Sequence, residues 1–210
     1  MQVKQRCLEK VTAFVTRLTP HGRELLVFRH PHAGVQLPAG TVNPNETPHD
    51  AVLREVREET GLTNAVITAY LGKIEQAMEN GTRMIFRDSM LQSTPQQDAT
   101  MMRTILNRGL TVETGDPING FIRVSFREFD HETGRQLSAQ SGWIPSNSLA
   151  DQVERHFYLL EVPADTPNRW SQTADRGYLF DLYWVPLNQD PGLHPAQAPW
   201  LTYARTQGLQ

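Results

Sequence analysis

Between Gly40 and Leu62 the chain reads GTVNPNETPHDAVLREVREETGL, and this stretch constrains the fold more than any other. Thr47 is a good N-cap with Asp50 three residues on, Pro48 fits the first helical position, and Gly61 can take the left-handed conformation that ends a helix. A helix over Pro48 to Thr60 follows. At about 100° per residue, Glu55, Glu58 and Glu59 fall within an arc of roughly 100°, while Val52, Leu53, Val56 and Thr60 occupy the adjoining arc. One face is carboxylate and the next is core.

Three carboxylates on one face repel each other unless cations neutralise them. An oxygen-only ligand set without His or Cys points to a hard ion, Mg²⁺ with Mn²⁺ as substitute, which can also bridge to phosphates. The plainer alternative is a solvated helix face stapled by Arg54 to Glu58 at i,i+4. For an isolated acidic run that alternative is the better one.

The stretch also fits the pattern G-x5-E-x7-R-E-U-x-E-E-x-G-U (U apolar) without a mismatch, and in this it resembles the signature of the Nudix hydrolases. The resemblance reverses the balance in favour of a metal site, although it speaks for the catalytic segment and its scaffold rather than for the substrate. It implies that Glu55, Glu58 and Glu59 bind the metal and that the carbonyl of Gly40 completes the coordination. It also implies that Glu46 and Arg54 fasten the preceding loop to the helix and orient the ligands. The reaction implied is hydrolysis of a phosphoanhydride in a nucleoside diphosphate linked to another group, or in a related nucleotide. Glu55 is the favoured general base. An acid from the Glu128 to Glu132 stretch, or Glu154, stays open.

A chain of 210 residues with 39% hydrophobic and 20% charged residues is long enough and apolar enough for a sizeable core. No apolar run approaches the ~18 residues of a membrane span, and MQVKQRCLEK lacks the apolar core of a signal peptide, so cytoplasm is the expected compartment. The net charge of −3 argues against a large nucleic-acid surface. Cys7 is the only cysteine, which excludes an intrachain disulfide and a cysteine metal site. Its position in an apparent strand predicts a small core residue.

Along the chain, Lys10 to Leu18 and Glu24 to His30 predict a hairpin around Pro20-His21-Gly22. Val35 to Leu37, Ala65 to Ile74, His156 to Val162 and Tyr178 to Leu187 predict further strands, and Pro199 to Thr206 a final helix. The resemblance implies an α/β fold, the Nudix α/β/α sandwich with a mixed sheet, as a single domain over residues 1–210 with a large ordered insertion at about 80–155. Within it, Arg83 to Leu91 predicts a strand, Asp98 to Arg108 a helix ended by Gly109, and Phe121 to Phe129 an alternating strand. Ile122, Val124 and Phe126 fall on one side of that strand, with Phe121 and Phe129 on the other. That much apolar surface predicts folded structure bordering the substrate cleft or a homodimer interface.

Arg29, shortly before Gly40, is a candidate phosphate clamp, with a structural ion pair as the equal alternative. His30 and His32 are candidate phosphate or proton carriers, although a solvated loop is the simpler reading. Trp143, Trp170 and Trp200 are candidates to stack on a base, against the commoner role of core anchors. The stretch Leu71 to Asn80 lacks the proline expected of the ADP-ribose subgroup, and no tyrosine occurs from Leu71 to Phe157, which weakens the ADP-ribose and diadenosine-polyphosphate readings. A small nucleotide as substrate remains, with no membrane partner. The alternative function is a Nudix-fold nucleotide-binding regulatory module without catalysis.

Overall fold

The computed structural model describes residues 6–174 and 177–210. In chain order the strands are β1 (Cys7–Thr19), β2 (Gly22–His30), β3 (Gly34–Gln36) and β4 (Ala39–Thr41), followed by helix α1 (Pro48–Thr60). Then come β5 (Val66–Ala77), β6 (Thr82–Ile85), β7 (Ser89–Gln92), β8 (Met101–Leu106), β9 (Thr111–Ile118), β10 (Phe121–Phe129), β11 (Gln136–Pro145), β12 (Leu149–Ala150) and β13 (Gln152–Glu161). The chain ends with β14 (Arg169–Thr173), β15 (Leu179–Pro186) and helix α2 (Ala198–Thr206). It divides into two compact units, one of residues 10–74 with 155–210 and the other of residues 1–9 with 75–154.

The first unit is built on a sheet of order β14-β15-β2-β1-β13-β5, with β3 added to β2 and β4 added to β1. Successive side chains of β1 point to opposite faces, and β1 is apolar or β-branched at nearly every position, so both of its faces are buried. Val11, Ala13 and Val15 pack with Val52 and Val56 of α1. Phe14, in alternate register, packs with Leu201 and Ala204 of α2. A helix on each face of one sheet is an α/β/α sandwich. The predicted hairpin forms as β1 and β2, paired antiparallel from Thr16↔Leu25 to Thr19↔Gly22.

Helix α1 begins and ends where its capping chemistry places it. Thr47 Oγ1 accepts from the Asp50 amide at 3.1 Å, and Gly61 at φ 75° donates its amide to the Arg57 carbonyl. Val52 and Val56 are fully enclosed, and each such valine contributes about 1.5 to 3 kcal/mol by leaving water.

The second unit holds a sheet of order β12-β6-β9-β10-β11-β7-β8, with a core of Ile85, Leu91, Leu106, Val112, Val124, Ile144 and Leu149. The helix expected over Asp98 to Arg108 is instead strand β8, paired with β7 through Ser89↔Leu106, Met90↔Ile105 and Gln92↔Met101. Leu106 enters the core while Met101 and Ile105 remain exposed. The β-branched pair Thr104-Ile105 and the cross-strand partners outweigh the helical spacing of the methionines. Gly109, expected to cap that helix, sits at φ 88° and turns the chain between β8 and β9. The single strand expected over Arg83 to Leu91 is two, broken at residues 86–88, where Asp88 Oδ1 accepts the Arg108 amide at 2.7 Å. On β10, Ile122, Val124 and Phe126 do face the core, but a register shift between Glu128 and Phe129 leaves Phe129 exposed.

Cys7 corrects another expectation: it opens β1 as an exposed residue, not a core one. Among the described residues, no helix is long and apolar enough to cross a membrane.

Candidate active site

The acidic face of α1 lies against β4, and Gly40 joins the two. A Cβ added at Gly40 would land on the Glu55 carboxylate, far inside the 3.0 Å that real Cβ atoms keep. The carboxylate therefore occupies the space that any side chain at position 40 would take. Glu55 is itself 9% exposed. Glu59 is tied to the same strand, its Oε2 accepting the Ala39 amide at 2.9 Å. Glu58 is the most open of the three, with its side chain 43% exposed.

Arg54 organises this cluster. Its Nε donates to Glu46 Oε1 at 2.8 Å and its Nη2 to Glu46 Oε2 at 2.9 Å, a two-point fork that fastens the loop before the helix. Nη1 donates to Glu55 Oε1 at 2.8 Å and to Glu58 Oε2 at 3.0 Å, and Nη2 also reaches the Thr41 carbonyl at 3.0 Å. The i,i+4 staple to Glu58 considered from the sequence is thus present. It belongs to a larger network that also holds Glu46 and Glu55. The hydrogen bond from Arg54 holds the Glu46 carboxyl below its ordinary range, and the Glu46 carboxylate in turn raises the Arg54 guanidinium.

The far end of α1 is anchored by residues whose role is invisible in the sequence. Trp170 Nε1 donates to the Thr60 carbonyl at 2.7 Å, so this indole closes the helix C-terminus. Trp200 stacks under the Arg155 guanidinium at 3.9 Å from its ring centroid. Trp143 lies in the other unit, half-buried and opposite Gln92 of β7.

The histidines are not a plain solvated loop. His30 closes β2, its Nδ1 accepting the amides of His32 and Ala33, each at 3.0 Å. Its ring meets Tyr178 at 4.9 Å and Phe180 at 5.2 Å, and His32 meets Tyr178 at 5.6 Å. Arg29 is exposed on β2, in register with Asp181 on one side and Val35 on the other. Glu128 and Glu154, open from the sequence as bases, belong to the second unit, where Glu128 accepts from Ser138 Oγ at 3.3 Å.

The donor set fits a hard divalent cation. Glu55 and Glu58 meet at Arg54 Nη1 while Glu59 turns to the Ala39 amide, and the three offer oxygen ligands alone, with no thiolate or imidazole among them. Burial of Glu55 against a residue without a side chain brings one carboxylate unusually close to a backbone strand.

Residues 8–101 match the family model described as NUDIX domain, a span that includes β4, α1 and every residue of the cluster. That segment of the chain is thus a NUDIX domain by its match. Similar solved structures include a MutT protein from Methanosarcina mazei Go1, at 17% identity and TM-score 0.46 over 98% of this chain and 96% of that one. An Ap4A hydrolase from C. elegans aligns at 11% identity and TM-score 0.42, over 98% of this chain and 100% of that chain. The NUDIX domain of Shewanella oneidensis NrtR complexed with ADP ribose aligns at 12% identity and TM-score 0.44, over 97% of this chain and 89% of that chain. No curated protein matches.

Proposed function

We propose that the protein hydrolyses a phosphoanhydride in a nucleoside diphosphate derivative or related nucleotide, with Mg²⁺ or Mn²⁺ held by Glu55, Glu58, Glu59 and the Gly40 carbonyl. The observation that carries this reading is the seating of the Glu55 carboxylate in the space that only a glycine at position 40 leaves. A metal bound there supplies neutralisation of the diphosphate oxygens and a water acidic enough to attack phosphorus. The chain's own residues supply placement. Arg54 fixes Glu55 and Glu58 relative to Glu46, the Ala39 amide fixes Glu59, and Trp170 holds the end of the helix that carries them. Glu55 is assigned as general base and Arg29 as an outer contact for substrate phosphate. The second unit is read as an insertion in one Nudix domain, and the whole as a cytoplasmic enzyme.

A regulatory nucleotide-binding module is disfavoured because binding alone does not require three mutually repelling glutamates on one helix. The test is phosphate release from a panel of nucleoside diphosphate and triphosphate derivatives with and without Mg²⁺. EDTA-sensitive turnover of at least one member is expected. Turnover that survives EDTA refutes the metal assignment, and binding without any turnover selects the regulatory module.

A further inference from the structure

The second unit holds a cavity for which the proposed hydrolysis has no use. From Ser146 to Ser148 the chain passes from β11 to β12, and the strand order makes it cross β10, β9 and β6 on the way. The crossing is pinned at both ends. The Ser146 amide donates to the Gly120 carbonyl at 2.9 Å, and the Phe86 amide donates to the Ser148 carbonyl at 2.7 Å. A cavity of about 850 Å³ lies there, lined from the crossing by Ser146, Asn147 and Leu149 and from the sheet by Arg83, Asp116 and Ile122. That volume is within the roughly 300 to 1,000 Å³ of small-molecule sites.

The two ends of the cavity differ in charge. At one end Arg6 and Arg83 meet Asp151, and all three line the cavity. The Arg6 carbonyl accepts the amides of Asp151 and Gln152 at 3.0 and 3.2 Å, and Arg83 Nε donates to Asp151 Oδ1 at 3.0 Å. Arg83 Nη1 donates to the Thr82 carbonyl at 2.6 Å, which leaves Nη2 over. Among the described residues nothing pairs with that nitrogen or with the Arg6 guanidinium. Two cations against one carboxylate leave this end positive.

At the other end Asp116 stands beside Pro117, which is the register partner of Ile122. Asp116 is exposed, and among the described residues its carboxylate has no partner either. Arg83 is in register with Val112 of β9, and Asp116 is four residues further along that strand. Even with the register shift between β9 and β10, strand rise separates the two ends by about 10 Å or more. Ser146 Oγ is enclosed without a hydrogen-bond partner among the described residues, although buried hydroxyls are ordinarily satisfied.

This separation selects the ligand. A metal ion or a free phosphate would use one end only, and a wholly apolar molecule would strand unpaired charge at both. A mononucleotide has the matching polarity: an anion at one end, a ring with N–H donors at the other, and an apolar ring face between. We propose that the cavity binds a nucleoside monophosphate. Its phosphate lies on Arg6 and on Nη2 of Arg83, in the planar geometry that suits guanidinium. Its base packs on Pro117 and Ile122 and donates an N–H to Asp116, with Ser146 Oγ as a further partner. The inference goes beyond the hydrolase reading and does not depend on it, because binding here requires neither the cation nor turnover.

The test uses the full chain in EDTA, with AMP, ribose 5-phosphate and adenosine titrated by calorimetry. AMP is expected to bind more tightly than either part. Arg6→Gln should weaken AMP and ribose 5-phosphate by about tenfold or more, the scale of one charge-assisted hydrogen bond, and leave adenosine unchanged. Asp116→Ala should weaken AMP and adenosine and leave ribose 5-phosphate unchanged. Arg6 is partly exposed, so its variants should keep the wild-type melting temperature; Arg6→Lys should recover part of the affinity, and it carries the test if the glutamine variant does not fold. Absence of AMP binding by the wild type overturns the proposal. So does unchanged AMP affinity in Arg6→Gln, or ribose 5-phosphate binding as tightly as AMP. AMP binding that is lost in Glu59→Gln and kept in Arg6→Gln places the nucleotide at the carboxylate cluster and overturns it as well. Arg6-dependent AMP binding by a protein that hydrolyses no nucleotide upholds this site and refutes the hydrolase reading.

Discussion

Replacing Gly40 with alanine adds one methyl group, and the structure gives it nowhere to go. Gly40 does not occupy the left-handed region, so alanine meets no backbone penalty there. The cost is steric. The new Cβ lies on the Glu55 carboxylate, which must withdraw by about 1 Å or more to restore a 3.0 Å separation. Withdrawal strains the 2.8 Å contact with Arg54 Nη1, and through Arg54 it disturbs Glu46 and Glu58. Overpacking of this kind costs about 1 to 3 kcal/mol, and a misplacement of about 1 Å at a reacting centre costs roughly a hundredfold in rate. The expected outcome for Gly40→Ala is a kcat lower by about two orders of magnitude, read as phosphate release at saturating Mg²⁺. A melting temperature lower by several degrees should accompany it. Gly115→Ala is the control, because a Cβ there meets nothing nearer than 4.0 Å. Near-normal turnover of Gly40→Ala at saturating metal would show that Glu55 need not sit over Gly40 during the reaction.

Glu58→Gln and Glu59→Gln should each lower kcat by at least about a hundredfold, measured by steady-state kinetics. The exposure of Glu58 limits its effect on metal-free stability to about 0.5 kcal/mol or less, because an exposed i,i+4 pair contributes little; retention of turnover in either variant removes that residue from the assignment. Glu46 has a folded-state carboxyl held below its ordinary value of 4.5 by Arg54, so its contribution to stability is complete above that value and disappears as pH falls through the lowered one. Acid denaturation curves should show this loss for the wild type below pH 4.5 and a flatter limb for Glu46→Gln; parallel curves would show that the pair contributes no pH dependence. Trp170→Phe removes the hydrogen bond to the Thr60 carbonyl and should destabilise the protein by about 1 kcal/mol in a denaturant titration, with an unchanged midpoint as the refuting result.

What the sequence made legible was local. Thr47, Pro48 and Gly61 delimit α1 by capping chemistry that acts over three or four residues, so the helix could be read to its ends, and with it the shared face of Glu55, Glu58 and Glu59. Strands β1 and β2 were legible for the same reason: their apolar runs and intervening turn are contiguous. Strand β8 was not. Its state depends on β7 as a partner across the sheet, and the spacing of Met101, Met102 and Ile105 alone did not carry that information. The stacking of Arg155 on Trp200 was not legible either, because nothing in the neighbouring residues signals it. That contact arises only when β13 and Trp200 are brought together. Trp170 shows the same limit in milder form: the residue stood out as an aromatic, but its bond to Thr60 spans 110 positions of chain.

The fork of Arg54 has a consequence for binding of the cation proposed above. It fixes the side-chain torsions of Glu46, Glu55 and Glu58 during folding, and immobilising a glutamate of this kind costs up to about 1.5 to 2 kcal/mol of rotamer freedom. Ligand capture is thereby relieved of that entropy. Calorimetry of Mg²⁺ binding should accordingly report an entropy dominated by water released from the ion, with little opposing change from the polypeptide. On the proposed reading the same arrangement decides what happens when the ion is scarce: an arginine already shares the helix with its glutamates, so depletion would leave the framework standing and the chemistry idle.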